Sequence, residues 1–83
     1  MDRTVDRGSP TPPFEQVADA LRGQIQRGTL KVRDKLPSLD MLGTRYGVTR
    51  TTARKAVAVL VAEGLVGSRP GWGTFVIRRR ASS

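Results

Sequence analysis

Apolar residues return every three or four positions once the chain passes Pro13. Phe14, Val17, Ala18, Leu21 and Ile25 share one face of a 3.6-residue wheel. The spacing predicts a helix to about Arg27, and Gly28 suits the left-handed position that ends one. "TLKVRDKLP" breaks the pattern and reads as a connection with room for one short strand. Ser38, just after Pro37, is a good N-cap for a second helix, with Leu39, Leu42 and Tyr46 as inward candidates and Gly47 as its end. Thr49 can cap a third helix only two residues later, running to about Glu63 with Gly64 beyond it. A joint of about three residues between helices is the length found in a helix-turn-helix. Leu65–Val66 and Thr74–Ile77 are then short β-prone runs around a turn-rich stretch, Arg69–Gly73. The predicted fold class is mainly α with a small β-hairpin: three helices and a wing, a winged helix-turn-helix.

The third helix carries two patterns at once. Ala53, Ala56, Val57 and Leu60 form one face, expected to pack on the first two helices. Arg50, Thr51, Arg54, Lys55 and Ala58 lie opposite. The rear half is apolar nearly all round, which the hairpin is expected to cover in part. The front half projects, and in a helix-turn-helix that part enters the DNA major groove. Arginine can fork onto guanine O6 and N7, threonine can touch a thymine methyl or a phosphate, and alanine permits close approach. A bare solvated face is the plain alternative for Arg50, Arg54 and Lys55. The preceding turn, the Thr49 cap and the charge distribution weigh against it.

That distribution is uneven. Residues 1–40 hold seven basic and six acidic residues, whereas residues 41–83 hold eight basic residues against Glu63 alone. Segregation of this kind points to a polyanion, nucleic acid ahead of an anionic membrane. Composition removes other classes. With no cysteine and no histidine there is no disulfide framework, no thiolate metal site and no catalytic triad. No catalytic residue, metal ligand or cofactor is expected, and the chain is read as no enzyme. The longest apolar run, Ala56 to Ala62, is far short of the ~18 residues of a membrane span. The opening "MDRTVDRGSPTPP" lacks the apolar stretch of a signal peptide, so a cytoplasmic protein is expected. Residues 1–13, rich in proline and without periodicity, read as a disordered arm. Residues 14–77 form the domain, and 78–83 a basic flexible tail.

These residues together resemble the N-terminal DNA-binding domain of the GntR family of bacterial transcription regulators, over residues 14 to about 77. "LPS" at Leu36–Ser38 opens the second helix, "YGVTRTTARKAVAVLVAEGLV" matches the family's turn and recognition helix, and "RPGWGTFV" its wing. The resemblance implies duplex DNA as partner and a transcription regulator, a repressor, as function. It implies phosphate contacts by Ser38, Thr49 and Thr52, base or phosphate contacts by Arg50 and Arg54, and minor-groove or backbone contact by Gly71. The full candidate set adds Thr51, Lys55, Arg69, Trp72 and Gly73. Two positions depart from the family: Asp40 replaces a usual basic residue that contacts DNA, and Arg33 a common glycine. Asp40 is read first as a favourable charge at a helix start, with orientation of Arg50 or acceptance from a cytosine amine as alternatives.

Other readings stay plainer. Gly71–Gly73 sits between strands, unlike a nucleotide loop, so it is a wing turn. Trp72 either stacks on a base or sugar or folds back on the body, and Phe75 and Tyr46 are expected in the core. Family members continue into an effector-binding, dimerising domain, while this sequence ends at Ser83. It suits both a stand-alone binder and a part of a longer protein. No effector site is visible, and a monomer or weak dimer is expected alone, with dimeric binding on DNA open. A winged-helix protein-interaction module is the alternative function.

Overall fold

The computed structural model describes residues 5–78. Three helices and a hairpin follow in order: α1 (Pro13–Arg27), α2 (Leu39–Tyr46), α3 (Arg50–Ala62), β1 (Val66–Arg69) and β2 (Gly73–Val76). Local chemistry sets each boundary. Pro13 opens α1, where a missing amide hydrogen costs nothing, and Gly28 closes it at φ 83°. Ser38 Oγ accepts from the Met41 amide and Thr49 Oγ1 from the Thr52 amide, so both helices of the turn begin on a side-chain cap. Gly47, at φ 69°, ends α2.

The core is one cluster in which α1 supplies Val17, Ala18, Leu21 and Ile25, α2 supplies Leu42 and Tyr46, and α3 supplies Ala53, Ala56, Val57 and Leu60. Leu36, Leu65, Val66 and Val76 seat the hairpin and the connection against it. Each fully buried Leu, Ile or Val stabilises by roughly 1.5–3 kcal/mol. The hairpin is antiparallel, with Val66 opposite Val76 and Arg69 opposite Gly73. The connection before Pro37 joins it as one isolated bridge, Lys35 to Phe75. The Leu36 amide donates to Thr74 O at 2.8 Å and the Val76 amide to Asp34 O at 2.8 Å. The short strand for which "TLKVRDKLP" had room is this pairing. α1 and α3 are tied at their far ends by Arg22, whose Nε and Nη2 donate to the two Glu63 carboxylate oxygens at 2.9 and 2.7 Å. Those bonds, foremost among its surroundings, raise the Arg22 guanidinium above its ordinary value.

Three expectations are corrected. Residues 5–12 of the predicted disordered arm hold defined contacts. Val5 is buried, its amide donates to Tyr46 O at 3.0 Å, and Arg7 Nη2 donates to Gly47 O at 2.9 Å. They satisfy carbonyls that the C-terminus of α2 leaves open. Residues 1–4 of the arm lie outside the described residues. Of the predicted tail, Arg78 donates its amide to Leu65 O, and 79–83 lie outside the described residues. Phe14 and Phe75 are half-buried, because each stands at an edge of the layers. The rear of α3 is covered in part, as expected: Val57 and Leu60 are buried and Val59 half-buried, while Val61 and Ala62 remain exposed. No helix among the described residues is long and apolar enough to cross a membrane.

Candidate nucleic-acid interface

Gly43 fixes the geometry of the turn. A Cβ built there would lie 2.8 Å from Val48 O, so only a residue without one lets α2 approach the start of α3 this closely. Val48 N in turn donates to Gly43 O at 2.9 Å. This approach sets the two capped helix N-termini in one surface. Leu39, Asp40, Gly43, Thr44, Val48 and Arg50 line an open groove between them.

The caps leave hydrogens to give. Ser38 Oγ accepts from Met41, and among the described residues its own hydroxyl hydrogen has no acceptor. Thr49 Oγ1 donates to Thr52 Oγ1 at 3.1 Å, which in turn leaves the Thr52 hydroxyl hydrogen for an outside acceptor. An oxyanion is the natural acceptor at such helix starts, where free amides and the helix dipole also favour negative charge.

Along α3, Arg50, Thr51, Arg54, Lys55 and Ala58 are all exposed, on the side opposite the four buried residues. Two of the cations are held. Arg50 Nη1 pairs with Asp40 Oδ1 at 3.2 Å and with Oδ2 at 3.4 Å. Lys55 Nζ stands 5.7 Å from the centre of the Phe14 ring, so it is drawn toward the start of α1. Among the described residues Arg54 has no acidic partner. Asp40 thus stands against Arg50, the contact that its orienting alternative requires, and it also keeps its place in the first turn of α2.

At the wing, the Trp72 amide donates to Arg69 O at 3.0 Å and closes the turn. Gly71 sits at φ 80° and Gly73 at φ 91°, a left-handed pair that glycine accepts without strain. Trp72 is 68% exposed, so it stands out from the body rather than folding onto it. Lys35, outside the candidate set, also stands at the wing. Its Cε lies 2.9 Å from where a Gly73 Cβ would be, so its charge joins that of Arg69 at the wing. The cue was the strand-length run before Pro37, which gains meaning only once paired with Phe75.

No group of three or more potential metal ligands occurs among the described residues. The surface is instead an array of cations and hydroxyl donors on a projecting helix start and a projecting turn.

Comparison with known proteins agrees with that description. The family model described as "Bacterial regulatory proteins, gntR family" matches residues 13–76. The mannosyl-D-glycerate transport/metabolism system repressor MngR of Escherichia coli (strain K12) is 42% identical over 71 residues, 86% of this chain and 30% of that protein. The transcriptional repressor NagR of Bacillus subtilis (strain 168) is 38% identical over 72 residues, again 30% of its length. The present chain thus spans under a third of these relatives. Among solved structures, YtrA from Sulfolobus acidocaldarius, a GntR-family transcription factor, superposes with a TM-score of 0.85 at 34% identity, covering 96% of this chain and 84% of that one. The DNA-binding domain of AraR in complex with the operator ORX1 gives 0.78 at 33% identity, covering 92% and 90%. The match over most of its length, by sequence and by fold, places this chain in the gntR family of bacterial regulatory proteins.

Proposed function

We propose that this chain binds duplex DNA sequence-specifically as the reading domain of a transcription regulator, and that it acts in repression. The outward face of α3 carries the reading: Arg50, Thr51 and Arg54 are exposed at the end of the helix that projects from the body. In this reading α3 lies in the major groove, with Arg50 and Arg54 at base edges and Thr51 against a base or phosphate. Ser38, Thr49 and Thr52 hold phosphates, and Lys55 adds charge beside them. The wing, with Arg69, Gly71, Trp72, Gly73 and Lys35, lies along the backbone or minor groove.

Support comes from three sides. The AraR domains solved with operators match over almost their whole length. MngR and NagR are named repressors. The sequence concentrates net charge in residues 41–83, which include α3 and the wing. A binder rather than a catalyst fits a sequence with neither histidine nor cysteine, and DNA as target fits a cytoplasmic site of action.

Selection of bound duplexes from a random pool by the 83-residue chain tests the reading. A shared motif is expected. A two-fold repeat in it means two chains on the site, and a single half-site means one. No enrichment over the starting pool overturns the reading.

A further inference from the structure

The residue that makes this surface unlike a plain cationic one is Asp40. It is the second residue of α2, after the Ser38 cap, and its carboxylate faces across the groove to the first residue of α3. Both oxygens lie within 3.4 Å of Arg50 Nη1. The pair is open to solvent, at 74% exposure for Asp40 and 61% for Arg50. An exposed pair of this kind adds little to stability. Its consequence lies in where it leaves the guanidinium.

Three features combine. The carboxylate engages Nη1 alone, so the edge formed by Nε and Nη2 has no partner among the described residues. That edge is a planar two-donor fork, the shape that matches guanine O6 and N7. A long arginine side chain at a helix start otherwise sweeps a wide arc, and phosphates fill much of it when DNA is bound. A carboxylate beside it disfavours the phosphate-directed positions by repulsion and removes rotamers the side chain would lose on binding. Gly43 secures the distance, because it brings α2 to within backbone contact of the turn that carries Arg50.

We infer that Asp40 is a specificity-determining positioning residue, which holds Arg50 for base reading and withholds it from phosphate. The inference rests on the DNA-binding reading above. Asp40 does not touch a base in this account; it acts through Arg50. Two effects follow together. The chain discriminates more strongly at the base pair under Arg50, and it binds arbitrary duplexes more weakly than the same surface without the carboxylate.

The test uses the selected duplex, a variant of it changed at the Arg50-dependent base pair, and a random duplex. Titrations at several salt concentrations compare the wild type, Asp40→Asn, Asp40→Ala and Asp40→Glu, each also combined with Arg50→Ala. Circular dichroism checks folding, and two neutral variants are carried so that one weakened helix does not remove the test. Loss of the carboxylate should cut discrimination at that base pair on the order of tenfold, within the worth of one bidentate contact. The slope of log K against log salt on the random duplex should steepen by about 0.9, as Arg50 takes up one phosphate. Asp40→Glu should keep the preference. Neither change should appear when Arg50 is already alanine.

The outcomes separate. If the wild type selects no common sequence, the DNA-binding reading falls and the Asp40 inference with it. If the wild type selects a motif but the neutral variants keep its preference and slope, Asp40 has no positioning role. If the variants act equally with and without Arg50, the carboxylate works directly, as it would on a cytosine amine, and the inference is overturned.

Discussion

Arg33 holds a φ of 80°, a left-handed conformation that costs a residue with a Cβ roughly 1–2 kcal/mol. The conformation is forced by the bridge to the wing: the Arg33 amide donates to Val76 O at 2.7 Å while Asp34 O accepts from Val76. This is the position where the family resemblance implies a glycine. Arg33→Gly should therefore leave stability unchanged or raise it by up to ~1 kcal/mol, the relief of strain offset in part by glycine's chain entropy. Arg33→Val should lower it by about 1–2 kcal/mol, because a branched Cβ tolerates that region worst. Urea midpoints for the two variants check the ordering, and the reverse ordering contradicts it. Arg54 gives a second expectation at this scale. Exposed and without an acidic partner among the described residues, it should cost ~1–3 kcal/mol on the selected duplex when changed to alanine, with preference flattened at one base pair. Folding stability should barely move. Equal loss on selected and random duplexes would make Arg54 a phosphate contact instead.

At the scale of elements, the turn between α2 and α3 depends on Gly43. With Val48 O only 2.8 Å from the place a Cβ would occupy, Gly43→Val must push the helices apart, at a cost of about 1–3 kcal/mol. DNA affinity should fall with it, since the two capped N-termini would no longer share a surface. Denaturant unfolding and a binding titration on the same sample measure both, and a variant that binds and unfolds normally would remove the turn argument. The wing offers the complementary case. Gly71 has nothing within 4 Å of a built Cβ, so its requirement is the φ of 80° alone. Gly71→Val should weaken DNA binding while the helices persist by circular dichroism, and normal binding would demote the wing to a cover for α3. Much of this architecture is legible in the sequence because helix ends and helix faces are local. Ser38 and Thr49 cap where their side chains reach back to amides three residues on, and Ala53, Ala56, Val57 and Leu60 are the buried set that the wheel picks out. What stays hidden is set by distant partners. Val5 has no periodic companions; it packs into the core cluster, and its amide donates to Tyr46 O at the C-terminus of α2. Lys35 reaches the wing through a single bridge, and the pull of Phe14 on Lys55 crosses two helices. Gly43 looks like a weak point in a helix until the turn folds against it.

For the whole molecule, the decisive property is the separation of its charge. Residues 41–83 carry eight basic residues and one acid, and that acid, Glu63, faces Arg22 at the far end of α3. The projecting helix start is thus rich in cations, with Asp40 set among them at its centre. If Lys55, Arg69 and Lys35 each neutralise a phosphate while Arg50 and Arg54 read bases, log K should fall with log salt at a slope of roughly −2.7. Specific recognition adds a term that salt does not remove, because base-edge hydrogen bonds displace no counterions. The most direct measurement is a titration of the 83-residue chain against its selected duplex and a scrambled duplex of equal length, across a range of salt. The account predicts parallel salt slopes and a selected duplex bound more tightly by on the order of 10³ or more throughout. Equal affinities for the two duplexes, or a preference that vanishes as salt rises, would contradict it.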